Sequence, residues 1–158
     1  RQARRQELRA ALAELAIGAD AIRHLGIADG GVSHHEHGLQ DWLQQNLRST
    51  DLVLAPWRFD GHRDHEAAGR AALGAADAVG CMRLEYPVWG WHWLDPASVH
   101  LAWKAPRLLD ISDAVDRKRR AIARFRTQLG AVERLRAAPI LPAHVLARFY
   151  RTHEVFLA

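Results

Sequence analysis

The chain holds a single cysteine, Cys81, in 158 residues, so no internal disulfide can brace the fold and stability must come from a packed core. A reducing compartment is permitted, and the cytoplasm is the expected location. The chain also lacks any apolar run near the roughly 20 residues that a membrane-spanning helix requires. Its opening, Arg1-Gln2-Ala3-Arg4-Arg5, has no apolar centre of the kind a signal peptide carries. No internal repeat and no low-complexity tract is present. With hydrophobic residues at 49% and charged residues at 25%, the chain has apolar surface for one core rather than two. A single soluble domain over residues 1–158 is expected.

The net charge of +4 raises the question of a nucleic-acid partner, and its distribution answers it. Residues 103–136 carry ten Lys/Arg against four Asp/Glu, whereas residues 13–100 carry six against twelve. A nucleic-acid site brings basic groups to the contact surface to neutralise phosphates. Here the segment richest in chemistry is acidic and the excess positive charge falls on helical segments, so no nucleic-acid partner is expected. The run Arg117-Lys118-Arg119-Arg120 is read as a solvated helix face.

Hydrophobic spacing outlines the elements. Leu8, Ala11, Leu12 and Leu15 recur at helical spacing and predict an amphipathic helix that lies on a sheet. Ala21 to Gly26 has strand character, and Asp29-Gly30-Gly31 marks a turn with positive φ available. A loop over Ser33–Gly38, a helix over about Leu39–Leu47 and a buried strand at 51–55 would then make a parallel β-α-β unit. A helix capped by Asp64 or a neighbour runs to about Val79 on a smooth alanine face, and Gly80 ends it. Strands are predicted at 83–93, 99–103 and 107–111. A long helix from Ser112/Asp113 to about Arg136 follows, then a short helix near 143–150 and a terminal strand at 154–157.

The densest chemistry is Asp60-Gly61-His62-Arg63-Asp64-His65: two imidazoles and two carboxylates where the apolar run 51–57 ends and a helix begins. Ligands in open α/β sheets bind beyond the carboxyl ends of strands, which makes this a site by position as well as by composition. Imidazole suits zinc, and a carboxylate can complete or orient the shell. Taken alone, His-x-x-His is common enough to arise without function. His34, His35, Glu36 and His37 could form a second metal cluster, but they cannot all face one way and read better as a solvated loop. Trp89, Trp91 and Trp93 alternate, which in a strand would make a ladder on one face, read as packed core or partner surface rather than as ligand contacts.

Leu52-Val53-Leu54-Ala55-Pro56-Trp57, followed by Gly61-His62-Arg63-Asp64-His65 and Gly69-Arg70-Ala71-Ala72, resembles the second signature, G-H-P-D-H, of the LmbE-like (PIG-L) N-deacetylase family. Arg4-Arg5-x-Glu7-Leu8, Leu25 to Gly30, Glu85-Tyr86-Pro87-Val88-Trp89, the helix from Lys118 to Gln128 and Glu154-Val155-Phe156 extend the similarity along the whole chain. The resemblance implies an α/β, Rossmann-like LmbE-type domain with a mainly parallel sheet flanked by helices. It implies a zinc-dependent hydrolase, zinc or another divalent metal activating the water, that removes acetyl from an N-acetylated amino sugar or related small amide.

By resemblance His65 is a metal ligand, and His62 stabilises the tetrahedral intermediate or protonates the departing amine. Asp64 holds or polarises His62, and Asp29 lies where it can accept hydrogen bonds from sugar hydroxyls, though an Asx turn explains it equally well. Arg63 stands where the signature has proline. The family's first signature, His-Pro-Asp-Asp-Glu, which supplies two further metal ligands and the general base, is not in the chain. The chain is therefore expected to be N-terminally incomplete, its first strand and metal-binding loop lying upstream, because a sheet without that strand leaves edges unpaired. The competing reading is a truncated, non-catalytic relative that serves as a binding or scaffold domain.

Overall fold

The computed structural model of the protein describes residues 2–95, 106–130 and 139–158. The chain divides into two compact units, Arg1–Leu25 with Asp110–Glu154, and Gly26–Leu109 with Val155–Ala158.

The unit of residues 26–109 and 155–158 contains the parallel pair. Strand β1 (Leu52–Pro56) and strand β2 (Met82–Tyr86) run in register from Leu52 opposite Met82 to Pro56 opposite Tyr86. Helix α3 (Arg63–Val79) is the crossover, as a parallel pair requires. Ala67, Ala71, Ala75 and Ala76 of α3 are fully buried, which lets the helix pack close to its neighbours. Gly69 carries this furthest: a Cβ there would stand 2.4 Å from the Pro56 carbonyl oxygen. Helix α2 (Glu36–Asn46) packs on α3, and Arg70 grips Glu36 through two hydrogen bonds of 2.9 and 2.8 Å. On the other side of β2, Glu85 and Leu157 exchange backbone bonds of 2.9 and 2.8 Å, and Leu157 joins Trp57 and Leu94 in a buried apolar cluster.

Several expectations are corrected here. The parallel β-α-β unit is β1-α3-β2, not one beginning at residue 21: Ala19–Ala21 form a 3-10 turn, and residues 22–28 pair with no strand among the described residues. The segment 33–38 is not a loop. Val32–His34 make a 3-10 turn, and Glu36 and His37 already belong to α2. Strand β1 is only half buried, since Leu52 and Leu54 on one face are exposed while Ala55 on the other is buried.

The strand predicted over 83–93 ends at Tyr86. Pro87 has no N–H to offer a ladder, and the next three N–H groups turn inward to Asp60. Residues Gly90–Trp93 then form one helical turn, α4, so the tryptophan ladder does not exist: Trp93 stacks on Trp57 and Trp89 stacks on His92. The strand expected at 99–103 lies outside the described residues.

In the unit of residues 1–25 and 110–154, helix α1 (Gln2–Glu14) packs on helix α5 (Val115–Ala123) rather than on a sheet. Ala11, Val115 and Ala121 are buried at their sites, as is Val145 of helix α6 (Ala143–Phe149). The helix expected to run on from α5 tightens instead: Arg124 and Phe125 donate three residues back, to Ala121 and Ile122. Glu7 then takes the N–H and hydroxyl of Thr127 at 2.9 and 2.6 Å. Residues 131–136 of that expectation lie outside the described residues. Strand β3 (Arg107–Asp110) and strand β4 (His153–Phe156), each of which runs from one unit into the other, make a second two-stranded sheet.

Candidate active site

The site is the connection from β1 into α3. Proline ends the strand, Trp57 is buried beneath the loop, and Gly61 turns the chain with φ +77°. A side chain at Gly61 would be strained by that φ, and its Cβ would lie 2.6 Å from Nε1 of Trp93. Glycine is therefore required twice over, by conformation and by space. His62, not Asp64, is the helix cap: its Nδ1 accepts from the Asp64 backbone N–H at 3.3 Å. Three residues on, His65 lies beside it, the two rings stacked at 4.3 Å between centroids. The two sequence-predicted imidazoles are thus brought together.

His65 is oriented by a residue of the same motif to which the sequence assigned no role. Nδ1 of His65 donates to Oδ2 of Asp60 at 2.6 Å, which leaves Nε2 with its lone pair free for a proton or a metal. A carboxylate behind an imidazole is the usual support of a histidine ligand. Asp60 is fully buried and also accepts the backbone N–H groups of Val88 at 2.8 Å, Trp89 at 2.7 Å and Gly90 at 2.8 Å. Burial pushes its carboxyl up, but the bonds from His65 and the three amides outweigh that and hold it below the ordinary carboxylate range. Burial and the nearby Asp60 charge together push the Tyr86 phenol up.

Asp64 is buried as expected of a site residue, but its carboxylate serves the preceding loop. It accepts from Gly30 N–H at 2.6 Å and from Val32 N–H at 3.1 Å. What it shares with His62 is the backbone bond at the cap. Asp29 is exposed, one residue before the Gly30 that Asp64 anchors. Arg63 points to the surface, where its Nη2 donates to Nε2 of His34 at 3.4 Å. Trp89 presents an edge-on ring contact to His62 at 6.0 Å. Asp60 and Trp89 are the residues that sequence reasoning missed at this site. Their signal, a carboxylate meeting three consecutive amides about thirty residues on, does not exist locally.

Comparison with known proteins now bears on this arrangement. Residues 1–76 match the family PIG-L, GlcNAc-PI de-N-acetylase. Over that stretch the chain is PIG-L-like. The match takes in Gly61–His65 and nearly all of α3, and stops short of the Val88–Gly90 turn that Asp60 holds. No curated protein matches by sequence. Among solved structures, the A40926 pseudoaglycone deacetylase Dbv21 superposes with TM-score 0.61 at 23% identity, covering 99% of this chain and 69% of that one. The zinc-inhibited form of teicoplanin deacetylase Orf2 superposes with TM-score 0.60 at 17% identity, covering 99% and 73%. These neighbours share its fold, a mixture of helix and strand around a small parallel sheet.

Of a metal site, the described residues show no assembled ligand set. Among the described residues no three or more His, Cys, Asp or Glu side chains are grouped to hold an ion. His65 has its Nδ1 anchored by Asp60, but among the described residues no further donors gather beside it to close a tetrahedral site. Among the described residues, no helix is long and apolar enough to cross a membrane.

Proposed function

We propose that this chain, read as one Rossmann-like LmbE-type domain over residues 1–158, carries half of the active site of an N-deacetylase. Its substrate is an N-acetylated amino sugar or a related small amide. The observation that carries the reading is the His62/His65 pair at the strand end, with His65 held through Nδ1 by the buried Asp60. Such anchoring leaves the outer nitrogen of His65 available as a ligand. His62, capped at Nδ1 by the Asp64 amide, offers Nε2 to the reaction.

Amide hydrolysis needs a donor at the carbonyl oxygen as it gains charge and a proton for the amine as the C–N bond breaks. His62 fits both needs. Asp64 contributes by fixing the residue 30–32 loop against the start of α3, and Asp29 on that loop can meet sugar hydroxyls. Dependence on zinc or another divalent metal requires donors beyond the residues described, which this reading assigns to a segment upstream bearing the family's first signature. The two structural neighbours, the A40926 pseudoaglycone deacetylase and the zinc-inhibited teicoplanin deacetylase, support the reaction class.

Metal content and acetate release from N-acetylglucosamine, measured on the intact natural protein, test this reading. His65→Ala is expected to lose both metal and activity, and His62→Ala to keep the metal and lose activity. An intact protein that holds no divalent metal and is indifferent to His65→Ala is instead the non-catalytic binding relative.

A further inference from the structure

The two imidazoles of the site are held by different means. His65 has the buried Asp60 behind its Nδ1, whereas among the described residues no carboxylate is hydrogen-bonded to the His62 ring. Asp64, which the family resemblance gives it as a partner, spends its oxygens on Gly30 and Val32. What the His62 ring receives is a bond at Nδ1 from the Asp64 N–H, at 3.3 Å. One long bond at one atom does not fix the plane of a ring.

Two neighbouring rings do. His65 stacks on His62 at 4.3 Å with the planes 27° apart, and Trp89 meets it at 6.0 Å with the planes at 67°. Both the stacked and the edge-to-face arrangement are favourable. One wall is nearly parallel to the imidazole and the other steeply inclined, so the two resist different rotations of it. Trp89 is itself fixed. Its N–H and those of Val88 and Gly90 end on the Asp60 carboxylate, and its ring stacks on His92 at 4.2 Å. The Asp60 oxygen that takes the Trp89 N–H, Oδ2, is the one that takes Nδ1 of His65. One buried atom therefore sets both walls against which His62 rests.

We propose that Trp89 is the positioning residue of His62: its ring, carried on the turn that Asp60 holds, fixes the imidazole plane against His65 and so aims Nε2 at the scissile amide. A group that must meet a developing oxyanion or a departing amine works only when aligned. An indole aligns it by shape, so a phenyl ring in its place should serve and a methyl group should not. The proposal rests on the deacetylase reading and adds to it the residue that orients His62.

The test uses the intact natural protein with N-acetylglucosamine as the probe, turnover being followed by acetate release. Trp89→Ala keeps the backbone N–H, and with it the grip of Asp60 on the turn, so metal content and KM should stay near wild type. Its kcat should fall roughly ten- to a hundredfold, the order of loss that a misplacement of about 1 Å brings. Trp89→Phe should recover most of it. In a His62→Ala background Trp89→Ala should cost nothing further, because a residue that acts through His62 then has nothing to act on. The imidazole Cε1–H and Cδ2–H resonances of His62, a single sharp set in wild type, should broaden or double in Trp89→Ala while those of His65 keep a single set.

An unchanged kcat in Trp89→Ala, or a loss that adds in full to that of His62→Ala, overturns the proposal. Loss of metal together with activity also overturns it, by making Trp89 a prop of the fold around His65. Wild-type protein that releases no acetate removes the deacetylase reading, and the His62 resonances then decide the role of Trp89 by themselves. Acetate release with His62 resonances indifferent to Trp89→Ala keeps that reading and removes the proposal.

Discussion

The buried carboxylates of one unit and the carboxylates on the arginine-rich face of the other act in opposite ways. In the unit that holds the candidate site, Asp60, Asp64 and Glu85 are buried, and each accepts backbone amides. Asp60 takes three besides His65, Asp64 takes two, and Glu85 takes the Arg58 N–H as well as its guanidinium. In the helical unit, Glu14 meets Arg120 at 3.1 Å and Arg124, and Asp116 meets Arg119 at 3.3 Å, with exposed arginines in every case. A carboxylate bound by amides fixes a stretch of chain. One bound by long exposed side chains fixes little, because water screens the charge and the side chains give up entropy. The first kind of bond therefore decides where His62 and His65 stand, and the second decorates a surface.

Removal of Asp60 should separate the two behaviours most sharply. Asp60→Ala strands three amides and the His65 Nδ1–H, and is expected to cost about 3–5 kcal/mol in urea unfolding, with the imidazole nitrogen resonances of His65 shifting as its anchor is lost. A cost within error of zero would mean that water replaces the carboxylate and that burial is not what fixes the turn. Gly69→Ala tests the same region by volume rather than charge. With the new Cβ 2.4 Å from the Pro56 carbonyl oxygen, the helix must move off the strand end, at about 1–3 kcal/mol. The His62/His65 pair should be displaced with it.

Acid should act on the site unit through Asp60. Its carboxyl is held below the ordinary range in the folded state, so the folded state binds the proton less readily than the unfolded one. The stability this confers is complete above the ordinary Asp pKa of about 4 and is lost as pH falls through the lower folded value. Circular dichroism between neutral pH and pH 2 should show Asp60→Asn with a shallower acid dependence than wild type. An identical dependence would assign acid unfolding to other groups. The smallest effect is expected from Glu14→Gln, whose partners are exposed: its urea midpoint should lie close to wild type and converge on it in high salt. A large loss there would erase the contrast between the units.

Much of the local structure was legible in residue order. The alanine face and Gly80 announced α3, the apolar run announced β1, and the two proline breaks announced α6 close to where it lies. Local signals failed where a distant partner competed. Ala21–Gly26 has strand-forming residues, but a strand needs a neighbour, and none pairs with it among the described residues. The Trp89-Trp91-Trp93 alternation fits a strand, but amides 88–90 gain more from Asp60 than a ladder starting after Pro87 could supply. At the site, a three-residue spacing lets two rings share one face of a first helical turn or point apart in a loop, and in the structure His62 and His65 stack at 4.3 Å. The family resemblance gave His62 as the partner of Asp64, whereas the Asp64 oxygens go to amides more than thirty residues earlier.

Residue order alone brought the candidate groups of this protein together: a glycine turn and two histidines three residues apart. These are near-neighbour properties, governed by backbone dihedrals and the 3.6-residue period. Tertiary structure decided which carboxylate serves which imidazole. Asp60 lies 28 to 30 residues from the three amides that bind it, and a buried charge goes to whichever fold satisfies all of its lone pairs at once.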